Sequence, residues 1–220
     1  MKESKPMTEQ ESLAMISEMI AKAKTSYHDT GAGSILWGTI ISFCSLVTWA
    51  QIHFQWSIPF DIWLLTLLAV VATIYWSARD SKRRKVKSYD QTAMDYTWTC
   101  FGIAIFLVVH ANAGTRNAFN DLKDSIEAAG LSRPSISFSD YAPAYLLVLY
   151  GIPTLVTAGI KNFRPMLIGG IVCWVSAVLV VYVDSETDML LMALSAIAAW
   201  LIPGLVLRRR CAKRKEAADV

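Results

Sequence analysis

Residues 150–174 read YGIPTLVTAGIKNFRPMLIGGIVCW. An apolar run with a proline inside it, Pro153, meets a short basic turn from Lys161 to Pro165, and a second apolar run follows with the pair Gly169-Gly170. Two apolar runs joined by so short a turn must lie side by side and antiparallel. Gly169, Cys173 and Ala177 repeat at four-residue spacing with Ser176 beside them, and Gly151, Thr154 and Ala158 make a similar strip on the first run. Small residues at that spacing let helix backbones approach, which joins helices where lipid gives no hydrophobic incentive. The stretch therefore predicts a tight helical hairpin inside a membrane bundle.

Outward from the hairpin, the whole chain fits that reading. Its 220 residues are 54% hydrophobic and only 18% charged, too apolar for an ordinary soluble domain. Apolar segments at about 34–53, 60–77, 93–112, 141–160, 166–183 and 189–207 are each near the length needed to cross a hydrocarbon layer about 30 Å thick at about 1.5 Å per residue. The expected fold is an all-α integral membrane protein with six transmembrane helices. Residues 1–32 form a cytoplasmic N-terminal segment, 33–207 the bundle and 208–220 a basic tail.

Orientation follows from the lysines and arginines. Of 21 basic residues, 18 fall in the N-terminal segment, the linker from Arg79 to Lys87, the Lys161–Arg164 turn and the tail, against three (Arg116, Lys123, Arg133) on the other side. The positive-inside rule places both termini in the cytoplasm. Trp49, Trp56 and Trp63 mark the outer interface, and Trp37, Tyr75, Trp76, Tyr96 and Trp98 the inner one. The basic runs are read as topology signals and contacts to anionic lipid, not as a nucleic-acid surface.

At the N-terminus, Thr8-Glu9-Gln10-Glu11 fits a capping box, and residues 8–28 carry Leu13, Ile16 and Ile20 on one stripe. That amphipathic helix is expected to pack beneath the bundle, lie in the interface or join a partner protein through the Leu13, Ile16, Ile20 face. The first 30 residues hold no apolar core of a cleavable signal. Residues 113–140 make the one sizeable outer connection, with a short helix over 120–127 stopped by Gly130. Cys44, Cys100, Cys173 and Cys211 have no paired spacing, so neither a disulfide framework nor a metal site is expected.

Two groups of residues are candidates for chemistry. Pro153 deprives the carbonyl of Leu149 of its helical partner, so something polar must approach it. Trp174 and Trp200 fall near mid-membrane, where an indole N–H needs an acceptor. With Tyr150, Thr154, Ser195 and Pro203 they could line a ligand pocket between spans four, five and six, or be core tryptophans bonded to the carbonyls that Pro153 and Pro203 free. Ile152-Pro153-Thr154-Leu155-Val156 and Ile202-Pro203-Gly204-Leu205-Val206 are alike enough to raise a repeat of helical hairpins, though a pair of packing kinks is the simpler reading. At the outer face, His110, Asn112, Asp140 and Asp184 form a polar cluster, a histidine among carboxylates that could bind metal or sense pH, or simply be wetted by the loop. The acidic Asp184, Glu186 and Asp188 suit the positive end of span six. No catalytic constellation, metal motif or cofactor motif is present, and no charged residue sits at the centre of a span.

The segments YGIPT (150–154), FRPMLIGGIVCW (163–174) and AWLIPG (199–204) resemble a group of small six-span bacterial inner-membrane proteins with no assigned activity. The resemblance covers most of the chain, including ESLAMI (11–16), and implies an integral six-helix protein and no particular reaction. The expected function is a non-enzymatic membrane module, an accessory, sensing or regulatory subunit. The alternative is a small transporter or a lipid- or small-molecule-binding protein. Both place the chain in a bacterial cytoplasmic membrane.

Overall fold

A computed structural model describes residues 31–83, 89–132 and 141–216, with isolated positions 8, 10 and 13. The expected N-terminal helix over 8–28 with Ile16 and Ile20, the end of the basic linker and Asp140 lie outside the described residues. The described residues contain helices and no strand. In order these are α1 (Ala32–His53), a 3₁₀ turn (Ile62–Leu64), α2 (Leu65–Arg83), α3 (Tyr89–Ala128), α4 (Ala142–Lys161), α5 (Arg164–Val180) and α6 (Ser185–Ala196). A π-helical turn (Ile197–Leu201) then joins α6 to α7 (Ile202–Glu216) without a break. Among the described residues five helical stretches are long and apolar enough to cross a membrane, and α5 is a further apolar helix of 17 residues.

The hairpin read from residues 150–174 is present, and α4 against α5 is the most extensive helix contact in the molecule. Its turn is only Asn162 and Phe163. Asn162 takes left-handed φ 47, Phe163 N–H donates to Ala158 O at 3.0 Å and Asn162 N–H to Gly159 O at 3.3 Å. That is a Schellman closure with asparagine in the place usually held by glycine.

The predicted small-residue strips are buried, but they do not work as one backbone seam between α4 and α5. A Cβ on Gly170 would meet the Leu155 side chain, and one on Gly151 the Trp174 indole. The close backbone approach of Gly169 is to Ala198 and Ala199 in the π-turn. Gly38 of α1 meets the same turn from another side, where a Cβ would lie 2.5 Å from Leu201 N, and Gly31 meets Gly204 one level along. The π-turn is thus clamped between α1 and α5, and the core gathers around it with Leu147, Tyr150, Cys173, Met192 and Trp200.

Two expected boundaries move. Span three and the short outer helix are one helix, α3, of 40 residues, about 60 Å long and roughly twice a hydrocarbon layer. Its Gly130 stop is as expected: φ is 78, Leu131 N–H donates to Ile126 O at 3.2 Å and Gly130 N–H to Glu127 O at 2.9 Å. The described part of the basic tail, as far as Glu216, is helical and continues α7, with the Arg210 guanidinium 5.2 Å from the centre of the Phe163 ring. Arg210, the α4–α5 turn and the start of α1 therefore share one end of the bundle, and His53 and Glu186 share the other.

Candidate functional site

Trp200 is the anchor of the predicted mid-span cluster. It is 2% exposed, and its Nε1–H donates to Thr154 Oγ1 at 2.9 Å. The Thr154 hydroxyl donates in turn to Tyr150 O at 2.6 Å, the back-bond that a threonine in a helix makes to the fourth residue behind it. Every polar atom in this short relay is satisfied, as a low-dielectric interior requires. Around it four rings close up: Tyr150 lies 4.8 Å from Trp200 between centroids, and Phe101 and Trp98 of α3 each stand 6.2 Å from Trp200.

Pro153, Thr154, Ser195, Trp200 and Pro203 are all fully buried, and Tyr150 nearly so. Trp174 departs from the expectation. It is 46% exposed, and its indole N–H donates to Val148 O at 3.3 Å, not to the carbonyl of Leu149. The cause is helical phase. Gly169, Cys173, Ser176 and Ala177 face the bundle, and Trp174, one residue after Cys173, is turned about 100° away from that residue. It lies across the notch left by Gly151. The two prolines also differ: Pro153 lies within α4, whereas Pro203 follows the π-turn.

The indole-to-threonine contact recurs. Trp37 donates to Thr73 at 3.1 Å, Trp63 to Thr48 at 3.2 Å and Trp98 to Thr157 at 3.1 Å, each across a helix contact. Thr48 and Thr73 also back-bond to Cys44 O and Ala69 O. Sequence reasoning assigns Trp37, Trp63 and Trp98 to the interfaces and misses these clasps. A threonine on each facing helix was the signal available.

Of the expected outer-face group, Asp140 lies outside the described residues and the other three are described. No hydrogen bond or ion pair joins His110, Asn112 and Asp184 among the described residues. His110 stacks on Phe106 of its own helix at 6.2 Å, Asn112 Oδ1 is buried without a partner, and Asp184 is exposed at the N-cap of α6. The histidine that reaches the acidic turn is His53, whose Nδ1 lies 2.7 Å from Glu186 Oε1 while Trp49 stacks on its ring at 5.2 Å. Both members are more than two-fifths exposed, which makes the pair worth on the order of 0.5 kcal/mol. Asp188, grouped in the sequence with Asp184 and Glu186, is instead 2% exposed. Its spacing from Met192, Ser195 and Ala199, all buried, is helical and could have revealed it. Among the described residues no group of three or more His, Cys, Asp or Glu side chains could hold a metal.

A cavity of about 590 Å³ shares no lining residue with these groups. It is lined by Ala32, Ile35, Leu36, Thr39 and Ile40 of α1, Trp76 of α2, and Arg208, Cys211 and Ala212 of α7.

Comparison of the chain with protein-family models, with curated proteins and with solved structures finds no match, so the resemblance in the YGIPT and FRPMLIGGIVCW segments stands without a family to carry it.

Proposed function

We propose that the chain crosses a bacterial inner membrane six times with both termini in the cytoplasm, and serves there as a non-enzymatic accessory or regulatory module that binds a partner's transmembrane helix along α2 and α3. The observation that carries this reading is the uneven burial of the spans. Half of the most apolar stretch of α4 and 44% of that in the α6–α7 helix are buried, against 11% for α2 with its 3₁₀ turn and 6% for α3. Two of the spans thus contribute little to their own bundle. Helices in lipid associate through packing, so the faces of α2 and α3 that their own bundle leaves exposed are the surface on which another protein gains contacts.

The crossings are supported by length and composition, with Val181 to Val183 extending the apolar run of α5. Orientation rests on the positive-inside count, and the sharing of one bundle end by Arg210, the α4–α5 turn and the start of α1 agrees with it. A photo-crosslinking side chain at Phe106, Leu107 or Val109 of α3, in native membranes, should give one discrete protein adduct. The same group at Ile168 or Val178 of α5, equally exposed, should give lipid adducts only. Protein adducts in equal yield from both faces, or from neither, would sink the proposal. A second reading, a lipid- or small-molecule-binding protein, is favoured by the cavity beside α7; it is not the pocket expected between spans four, five and six.

A further inference from the structure

The cavity between α1, α2 and α7 is apolar along its length and cationic at one end. Ile35, Leu36, Ile40 and Trp76 supply most of the apolar lining, and Ala32 and Ala212 add little side-chain bulk. From Ala32 to Ile40 the α1 wall runs about 12 Å at the helical rise. Arg208 is exposed at the cavity and makes no ion pair with any described residue, and Arg209, Arg210 and Lys213 follow on the same helix. A guanidinium fork matches a phosphate oxygen pair, and a tryptophan in the lining suits a groove near the headgroup level of a bilayer.

We infer that this groove is a binding site for an anionic glycerophospholipid, with one acyl chain along Ile35, Leu36, Thr39 and Ile40 and the phosphate on Arg208. The volume is within the usual range of ligand sites. The charge at the mouth selects the headgroup, since each basic residue near an anionic surface adds to the attraction. The inference rests on the membrane reading above but not on the partner: a lipid site can fail while α3 still crosslinks, and the reverse.

Cys211 lines the site and reports on it. With Cys100, the exposed cysteine of α3, replaced by serine, Cys211 is the reactive thiol, because Cys44 and Cys173 are buried. The full chain is reconstituted in phosphatidylcholine nanodiscs with and without phosphatidylglycerol, and alkylation of Cys211 by a neutral maleimide is timed. At phosphatidylglycerol about ten times above its dissociation constant the free fraction falls to about one in eleven, so alkylation should slow about tenfold. Arg208→Gln should abolish that protection, and Thr39→Trp, which fills the acyl end and leaves Arg208 in place, should abolish it too. A slowing caused only by the negative bilayer surface would survive Thr39→Trp and would overturn the site. Equal protection by phosphatidylcholine alone, or protection by inorganic phosphate to the same extent, would overturn it as well. Unchanged melting of both variants in phosphatidylcholine separates loss of binding from loss of fold.

Discussion

Trp200 and Trp174 look alike in the sequence, each a large ring in mid-span, yet they hold different positions in the energy of the fold. Trp200 is buried among Tyr150, Phe101 and Trp98 and anchored on Thr154, so its truncation opens a cavity that rigid neighbours cannot collapse. Trp200→Ala should cost about 3–5 kcal/mol, while Trp174→Ala, which loses one long hydrogen bond at a half-exposed site, should cost about 1 kcal/mol or less. Thermal unfolding of both variants in the same mild detergent measures the gap. Comparable losses would mean that the indole of Trp174 is held by contacts other than those described. The span lengths put both rings at a similar expected depth, and the sequence does not say directly which is buried. Which one faces inward depends on a rotation of about 100°, and the small-residue stripe of α5 is the guide to it. That stripe correctly names Gly169, Cys173 and Ala177 as buried, and Trp174 follows from it as an outward residue.

At the scale of elements, the π-turn is what the sequence does not disclose. Pro203 marks an irregularity in the last span, but the wide turn lies just before the proline, and its clamping by Gly38 and Gly169 is a long-range arrangement that no local pattern encodes. The four-residue spacing points Gly169 toward α4; it faces Ala198 and Ala199 instead. Gly169→Ala would drive a Cβ into that backbone, where no flexible side-chain end can move aside, and should lower stability by about 1–3 kcal/mol. Gly102, inside α3, is open: a Cβ added there would meet nothing within 4 Å, and Gly102→Ala should leave stability unchanged or raise it by about 0.5–1 kcal/mol. Unfolding midpoints of the two variants give the comparison, and a loss at Gly102 equal to that at Gly169 would contradict the clamp. The length of α3 is hidden for a different reason. Gly114, Thr115, Arg116 and Asn117 read as the end of a span, since hydropathy reports where apolar residues stop and not where a helix stops. Past that point Ala118, Leu122 and Glu127 are adequate helix formers, and the Gly130 closure, legible from the start, is the true end.

For the whole molecule, the all-helical class and the long apolar helices were legible because they follow from composition and hydropathy, and the uneven count of basic residues carries a prediction of orientation. A reporter that works only in the cytoplasm, fused after Val220, should therefore be active, and a periplasmic reporter at the same point silent. The opposite result would overturn the orientation and, with it, the leaflet of the proposed lipid site.

The tryptophan–threonine clasps bear on how such a molecule is built. Those joining α1 and α2 are reciprocal: Trp37 reaches from near the start of α1 to Thr73, and Trp63 reaches from the foot of α2 back to Thr48. One clasp closes each end of that antiparallel pair, so a slip of one residue along the axis breaks both at once. An indole entering hydrocarbon alone carries an unmet N–H until the facing threonine arrives. α1 and α2 are thus able to satisfy each other's indoles without any contribution from α3 to α7. The register of α1 against α2 is in this way held by side chains of that pair alone, independent of the contacts that α4 to α7 make.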